Sequence, residues 1–349
     1  MDLIHSVLNL VAIPFSIFWL CLIVPPYAFF KLCFSALGSL FKEDVAGKVV
    51  IITGASSGIG EHVAYEYARK GACLVLVARR ENSLREVAAN AAQIGSPDVI
   101  TVCADVAKHD DCKRVINDTM SRYGRLDHLV NNAGVSHPNF LEEVSNIEEM
   151  RPIMDVNFWG AVYMTRLAIP HLRNTRGKIA VISSAAAWLP LPRHTFYNAS
   201  KAALIALFET LRVEVGQDIS ITIVTPGWVE SEMTQGKYML PGGEMRVDQE
   251  LRDVQVSASP VLSVHRAAKA IVDSVARGDR YLTEPAWFRA AYFWKVFCPE
   301  IVEWVYHFMF LSSPGSSSKD TPSKKILDFT GAKKLFYPET ILTPEVKTD

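Results

Sequence analysis

The chain has 349 residues, 49% of them hydrophobic and 21% charged, and its formal net charge is −1. An apolar fraction of that size excludes wholesale disorder, and the balanced charge argues against a nucleic-acid partner, which calls for a basic excess. Six cysteines, at 21, 33, 73, 103, 112 and 298, form no C-x-x-C pair. Neither a zinc site nor a disulfide framework is expected, and no metal is assigned.

The charges are unevenly spread. Residues 1–41 carry only Asp2 and Lys31, and the stretch Leu3–Phe41 is nearly all apolar. No Lys or Arg precedes the apolar run, and the run exceeds the short core of a cleaved secretory signal. About 20 apolar residues cross a bilayer, and Val7–Phe30 is long enough. Pro14, Pro25 and Pro26 interrupt it, each removing a backbone donor and crowding the preceding turn. The expectation is two helical arms, Leu3–Ile13 and Tyr27–Phe41, bent at the proline pair so that the chain enters and leaves lipid on one side. A kinked single span is the alternative.

From Val45 the pattern becomes alternating strand and helix. Strands are expected at Val49–Thr53, Cys73–Ala78, Val99–Cys103, Leu129–Asn131, Lys178–Ser183 and Ser220–Thr225. Helices are expected over 58–69, 81–94, 109–122, 147–173 and 195–216. Continuous apolar strands separated by helices predict an α/β, doubly wound parallel sheet covered on both faces. Residues 285–311 then hold ten aromatics, suited to a dimer face, a membrane-interface belt, a lid over an apolar substrate or plain packing. Ser312–Lys325 is rich in Ser, Pro and Lys and reads as a linker. The domain reading is therefore an anchor at 1–41, an α/β body at 42–284, an aromatic helical segment at 285–311 and a flexible tail at 312–349.

Between the first strand and the first helix of the body lies Thr53-Gly54-Ala55-Ser56-Ser57-Gly58-Ile59-Gly60. Glycines there permit a tight turn and close approach of a pyrophosphate, whose charge the backbone N–H groups and the helix N-terminus attract. The second strand ends at Ala78 and is followed by Arg79 and Arg80, where an NAD site usually has an acid for the ribose 2′-hydroxyl. Two guanidiniums in place of that acid favour a 2′-phosphate, so the expected cofactor is NADP(H).

Tyr197 and Lys201 are one helical turn apart. Ser184 follows a strand, and Asn157 sits in an earlier helical stretch. Together with the glycine loop, Asp105, Asn131-Asn132-Ala133-Gly134, Tyr197-Asn198-Ala199-Ser200-Lys201 and Pro226-Gly227, they span about 180 residues. This set resembles the short-chain dehydrogenase/reductases, and within them the 11β-hydroxysteroid dehydrogenase-like kind, a Rossmann-type fold. The proline-interrupted apolar N-terminus resembles that of the steroleosins, sterol dehydrogenases of plant oil bodies.

The resemblance implies Tyr197 as general acid/base and Lys201 as the cation that favours its phenolate and holds the nicotinamide ribose. It implies Ser184 as hydrogen-bond partner of the substrate oxygen, and Asn157 as holder of a water linking Lys201 to solvent. Substrate contacts are thus expected from Ser184 and Tyr197. Cofactor contacts are expected from Gly54, Ser56, Ser57, Gly58, Ile59, Gly60, Arg79, Arg80, Asp105, Val106, Asn132, Ala133, Gly134, Tyr197, Lys201, Pro226, Gly227, Val229 and Ser231. Ser231 stands where the family often has threonine, and Ser57 where some NADP-dependent relatives have a cation, leaving Arg79 and Arg80 to act without it.

The implied substrate is an apolar steroid or sterol, chosen by the loop Trp228–Pro260. A retinoid or fatty-acid-derived carbonyl, or a non-catalytic sterol-binding droplet coat, are the alternatives. The implied setting is an endoplasmic reticulum membrane or lipid-droplet surface with the body facing the cytosol, and a homodimer is compatible with the family. The sequon at Asn198 adjoins Tyr197, where a glycan would block the site.

Overall fold

The computed structural model describes residues 2–38, 42–240, 243–312, 317 and 319–343, apart from the side chains of 32–38. Two compact units divide at Glu43. The first is a single helix, α1 (Asp2–Gly38), that runs through Pro14, Pro25 and Pro26. The expected division into two arms at the proline pair is not seen, since the helix is continuous there; residues 39–41 of the expected second arm lie outside the described residues. Each proline removes one helical hydrogen bond, but residues 17–34 contain no Gly, Asn, Asp or Ser to turn the chain, and strong helical stretches flank both breaks. Residues 2–31 are apolar enough and long enough to cross a membrane, and nothing in their own unit buries them.

The second unit is the expected α/β body. It runs β1 (Val49–Thr53), α2 (Gly58–Arg69), β2 (Cys73–Ala78), α3 (Glu81–Ile94), β3 (Val99–Cys103), α4 (His109–Tyr123) and β4 (His128–Asn131). It continues through α5 (Arg151–Met154), a π-helical segment at Asp155–Trp159, α6 (Gly160–Thr175), β5 (Lys178–Ile182), α7 (Thr195–Val215) and β6 (Ser220–Pro226). A small hairpin, β7 (Lys237–Met239) and β8 (Met245–Val247), precedes α8 (Gln249–Val256), α9 (Val264–Arg277) and β9 (Tyr281–Glu284).

Seven strands form one parallel sheet in the order β3-β2-β1-β4-β5-β6-β9. β9, absent from the sequence reading, adds the edge strand, pairing Leu282 with Val224. The strands are apolar on both faces because both are covered. Val50, Ile52, Leu74 and Leu76 face one helical layer, and Ile51, Val75, Leu129 and Ile179 face the other. The direction of winding reverses between β1 and β4, and in such sheets a crevice opens beyond the carboxyl ends of the strands there.

The C-terminal part departs from expectation. After α10 (Phe288–Phe297) and α11 (Pro299–Phe310), the chain forms α12 (Pro322–Thr330), α13 (Lys333–Phe336) and α14 (Glu339–Leu342). Within 312–349, residues 319–343 are thus an ordered part of the body and not a flexible tail. Leu327, Tyr337 and Ile341 are buried against Val256. Arg252 donates to the Ile341 carbonyl at 2.6 Å, and Lys319 pairs with Asp248 at 2.8 Å. Composition hid this, because a few apolar side chains at helical spacing suffice to seat short helices on an existing core.

Candidate active site

The glycine loop leaves the carboxyl end of β1 at the reversal point. Gly54 and Gly58 have φ of 66° and 57°, the left-handed region that glycine adopts freely. Gly60 begins the packing of α2 on the loop: a Cβ there would lie 2.3 Å from the Gly54 carbonyl oxygen. Asn132, just past β4, ties the two strands together, its amide donating to the carbonyls of Thr53 at 2.9 Å and Gly54 at 3.2 Å. The result is a bare backbone cradle at a helix N-terminus, which fits a pyrophosphate.

This cradle opens into a cavity of about 1220 Å³. Of the expected cofactor residues, Gly54, Ser56, Ser57, Gly58, Ile59, Arg79, Arg80, Asp105, Val106, Asn132, Ala133 and Gly134 line it, as do Tyr197, Lys201, Pro226, Gly227, Val229 and Ser231. Gly60 does not line the cavity; it lies behind the loop as the close-packing position.

Ser184, Tyr197 and Lys201 line the same cavity. Ser184 caps the short turn after β5, its hydroxyl oxygen accepting from the Ala186 N–H at 3.1 Å. Ser183 donates to the Lys201 carbonyl at 2.8 Å and so pins α7 against β5. Tyr197 occupies the first turn of α7, with Lys201 one turn on and its Nζ donating to the Ile182 carbonyl at 2.9 Å. A Cβ on Gly134 would come within 3.3 Å of that Nζ, so glycine leaves the lysine its space. Burial raises the Tyr197 phenol to about 12, while a hydrogen bond from Ser184 works in the opposite direction. Burial lowers the Lys201 ammonium to about 8. Burial likewise takes His194, edge-on to the Tyr197 ring, down to about 4, so it stays neutral near pH 7.

Asn157 does not reach the cavity. It sits in the π-helical segment, a feature often found at functional sites. There its amide oxygen accepts from Val135 N at 2.8 Å, and its nitrogen donates to Val135 O and Ser200 Oγ, each at 3.0 Å. It joins β4's extension to α7 and thereby holds the helix that carries Tyr197 and Lys201.

Two residues that sequence reasoning did not single out, Glu232 and Lys237, lie beside Arg80 and Ser57 in the cavity wall. Glu232 forms a two-pronged pair with Arg80, at 2.7 and 2.8 Å, accepts from Ser57 Oγ at 3.0 Å and lies 3.3 Å from Lys237 Nζ. Burial alone would raise its carboxyl, but Arg80, Lys237 and Ser57 hold it below the ordinary glutamate value. No local spacing announces this contact, because 152 positions separate Arg80 from Glu232.

The cavity wall also carries a set of apolar side chains. Trp228, Met233, Tyr238 and Met245 come from the loop after β6, which the sequence reading assigned to substrate choice. Phe288, Val305, Tyr306 and Phe310 come from α10 and α11, so one face of the aromatic segment covers the cavity. Phe293, Trp294, Phe297, Trp304 and Phe308 are exposed on its other side.

The family model of the short chain dehydrogenases matches residues 48–239. The chain belongs to that family. Its catalytic class is therefore that of an oxidoreductase, and the doubly wound sheet is the family fold. The short-chain dehydrogenase is 61% identical over 349 residues to the "11-beta-hydroxysteroid dehydrogenase A" of Sesamum indicum, covering all of both chains. It also superimposes on an alcohol dehydrogenase of Thermococcus sibiricus complexed with 5-hydroxy-NADP, with TM-score 0.57, 27% identity and coverage of 68% of this chain and 94% of that one. A short chain dehydrogenase/reductase of Burkholderia phymatum in complex with NAD shares the fold, with TM-score 0.65, 24% identity and coverage of 74% and 96%. Nucleotide-cofactor binding is thus common to these neighbours, with both cofactor types represented.

Proposed function

We propose that this short-chain dehydrogenase interconverts a hydroxyl and a ketone on a steroid or sterol, using NADP(H), while held at a membrane or lipid-droplet surface. The observation that carries the reading is the meeting of Ser184, Tyr197 and Lys201 with a glycine cradle in one cavity that is also lined by apolar and aromatic side chains. The hydroxysteroid dehydrogenase name of the sesame relative, matched along its whole length, points to the same substrate class.

The cradle residues Gly54–Ile59 and Asn132–Gly134 would hold the pyrophosphate and ribose, and Arg79 and Arg80 the 2′-phosphate. When bound, the nicotinamide supplies or accepts the hydride. Tyr197 gives its phenolic proton to the substrate oxygen in reduction and takes the hydroxyl proton in oxidation. Ser184 Oγ orients that same oxygen beside the phenol. Lys201, whose Nζ lies 5.7 Å from the centre of the Tyr197 ring, favours the phenolate when it is an ammonium. Asn157 acts on this chemistry through Ser200 and the seating of α7. The aromatic side chains from α10 and α11 supply apolar wall for a steroid or sterol skeleton.

For anchoring, the support is α1, whose residues 2–31 contain an 18-residue window with a mean hydropathy of 2.5. The exposed aromatics of α10 and α11 are of the type enriched at lipid–water interfaces. Localisation of the full chain in its host cell, with and without a charged residue placed mid-helix in α1, tests that part.

The test of the activity is a panel of hydroxysteroids, sterols, retinoids and fatty aldehydes. Each is offered to the detergent-solubilised full chain with each of the four nicotinamide cofactors. Turnover of steroids or sterols with NADP(H) supports the reading. Turnover confined to retinoids or aldehydes replaces the substrate class, and no turnover of any kind supports the coat-protein alternative.

A further inference from the structure

The Arg80 guanidinium, the Ser57 hydroxyl and the Lys237 ammonium converge on one anion, the Glu232 carboxylate. Arg80 Nη1 and Nη2 reach its two oxygens at 2.7 and 2.8 Å, Ser57 Oγ donates at 3.0 Å and Lys237 Nζ lies at 3.3 Å. Arg80 Nη2 also reaches Ser57 Oγ at 2.7 Å and Ser56 Oγ at 3.2 Å. All of these residues line the cavity that holds the glycine cradle. A forked guanidinium, a hydroxyl and an ammonium around two oxygens form the donor set that a phosphate monoester takes.

We infer that Glu232 occupies the seat of the cofactor's 2′-phosphate and is displaced by it, with Lys237 becoming a phosphate ligand beside Arg80 and Ser57. The inference rests on the NADP(H) reading. A phosphate monoester carries about −1.5 to −2 charges near neutral pH and offers three oxygens. It therefore outcompetes a single carboxylate for the same cations, and like charge prevents the two from sharing them. Glu232 belongs to a loop that lines the cavity: its carbonyl accepts from Lys237 N at 2.9 Å, and Lys237 opens β7, whose Tyr238 lines the cavity. Release of the carboxylate thus frees one attachment of that loop. A cofactor with a bare 2′-hydroxyl lacks the charge to break the pair and leaves the loop latched.

The test is calorimetric binding of adenosine 2′,5′-bisphosphate and of AMP to the solubilised full chain and to Glu232→Gln. Wild type is expected to prefer the bisphosphate. E232Q is expected to bind it about tenfold tighter, with AMP unchanged, because the competing charge is gone. If wild type prefers the bisphosphate and E232Q leaves its affinity unchanged or weaker, Glu232 is no competitor and the inference fails alone. If wild type binds both ligands alike, the NADP(H) reading fails and the inference with it. Hydrogen exchange on wild type supplies a readout free of any substitution. The bisphosphate, and not AMP, should raise exchange in residues 231–239; equal effects of the two ligands overturn the displacement.

Discussion

Lys201 directs its ammonium nitrogen at the carbonyl oxygen of Ile182, 2.9 Å away at the end of β5. That bond orients the side chain within the cavity wall, where burial lowers its pKa to about 8 and raises that of Tyr197 to about 12. The signs set the pH behaviour. In the proposed mechanism oxidation needs Tyr197 deprotonated, so its kcat/KM should rise with pH; reduction needs the phenol, so its kcat/KM should fall. Lys201→Met removes the cation proposed to favour the phenolate. The oxidation limb should then move to higher pH, with kcat/KM reduced on the order of 10²–10⁴-fold. A limb that stays in place would take Lys201 out of proton transfer.

Tyr197→Phe keeps the ring, its edge-on contact with His194 and the packing of α7. It deletes the one hydroxyl that the proposed mechanism uses as acid and base. Turnover should fall by at least about 10²-fold while the nucleotide dissociation constant stays within about threefold. Retained turnover would point to another acid in the cavity.

Sequence and structure agree most closely where local rules act. The six expected strands came from continuous apolar runs between helices, a pattern that a doubly covered parallel sheet requires. The glycine loop and the Tyr197–Lys201 spacing are local as well, and the structure brings both to one cavity. What the sequence withheld is long-range or weakly periodic. β9 is four residues long and starts with an exposed Tyr281, so it has little alternation to show. Asn157 faces Val135 and Ser200 because a π-helical segment re-aims it, which no spacing rule foretells. The Glu232–Arg80 pair joins distant loops. At the N-terminus the three prolines do not end the helix, since an apolar stretch with no turn residue beside the proline pair continues through isolated losses of a hydrogen bond.

Arg80 should determine cofactor choice. It is the better placed of the two arginines, bonded to Ser56 and Ser57 of the glycine loop, whereas Arg79 is exposed. Arg80→Ala should lower the ratio of kcat/KM for NADP(H) over NAD(H) on the order of 10–100-fold, chiefly through weaker NADP(H) binding. A ratio unaffected by this change would assign the 2′-phosphate contact to Arg79 or Lys237.

Gly227 and Phe288 fit together where β6 meets the aromatic cover. A Cβ on Gly227 would lie 2.2 Å from Cε2 of the Phe288 ring, closer than any packing allows. Gly227→Ala must therefore push Phe288 and the start of α10 outward, opening the apolar wall. KM for a bulky steroid should rise severalfold or more, with AMP affinity unchanged because the glycine cradle lies elsewhere. Loss of AMP binding instead would mean that the strain spreads through β6 to the whole crevice.

The C-terminal helices make a claim on stability. Leu327 is fully buried against Val256, Tyr337 and Ile341, and its neighbour Ile326 is 43% exposed on the same helix. Leu327→Ala removes methyl groups from a filled site, a change that costs about 2–5 kcal/mol in well-packed cores. Ile326→Ala alters the same helix with little burial at stake and should cost well under about 1 kcal/mol. Thermal unfolding of the two variants separates the cases: a lowered midpoint for L327A with I326A near wild type places α12 in the cooperative core. A helix that merely rested on the surface would leave both midpoints unchanged. Limited proteolysis then reads the local effect, because Arg252 holds the Ile341 carbonyl at 2.6 Å and Tyr337 donates to the Ser257 carbonyl at 2.9 Å. Loosening Leu327 weakens the apolar contact that supports both bonds, so cleavage after Lys333 or Lys334 should speed up in L327A before the sheet itself unfolds.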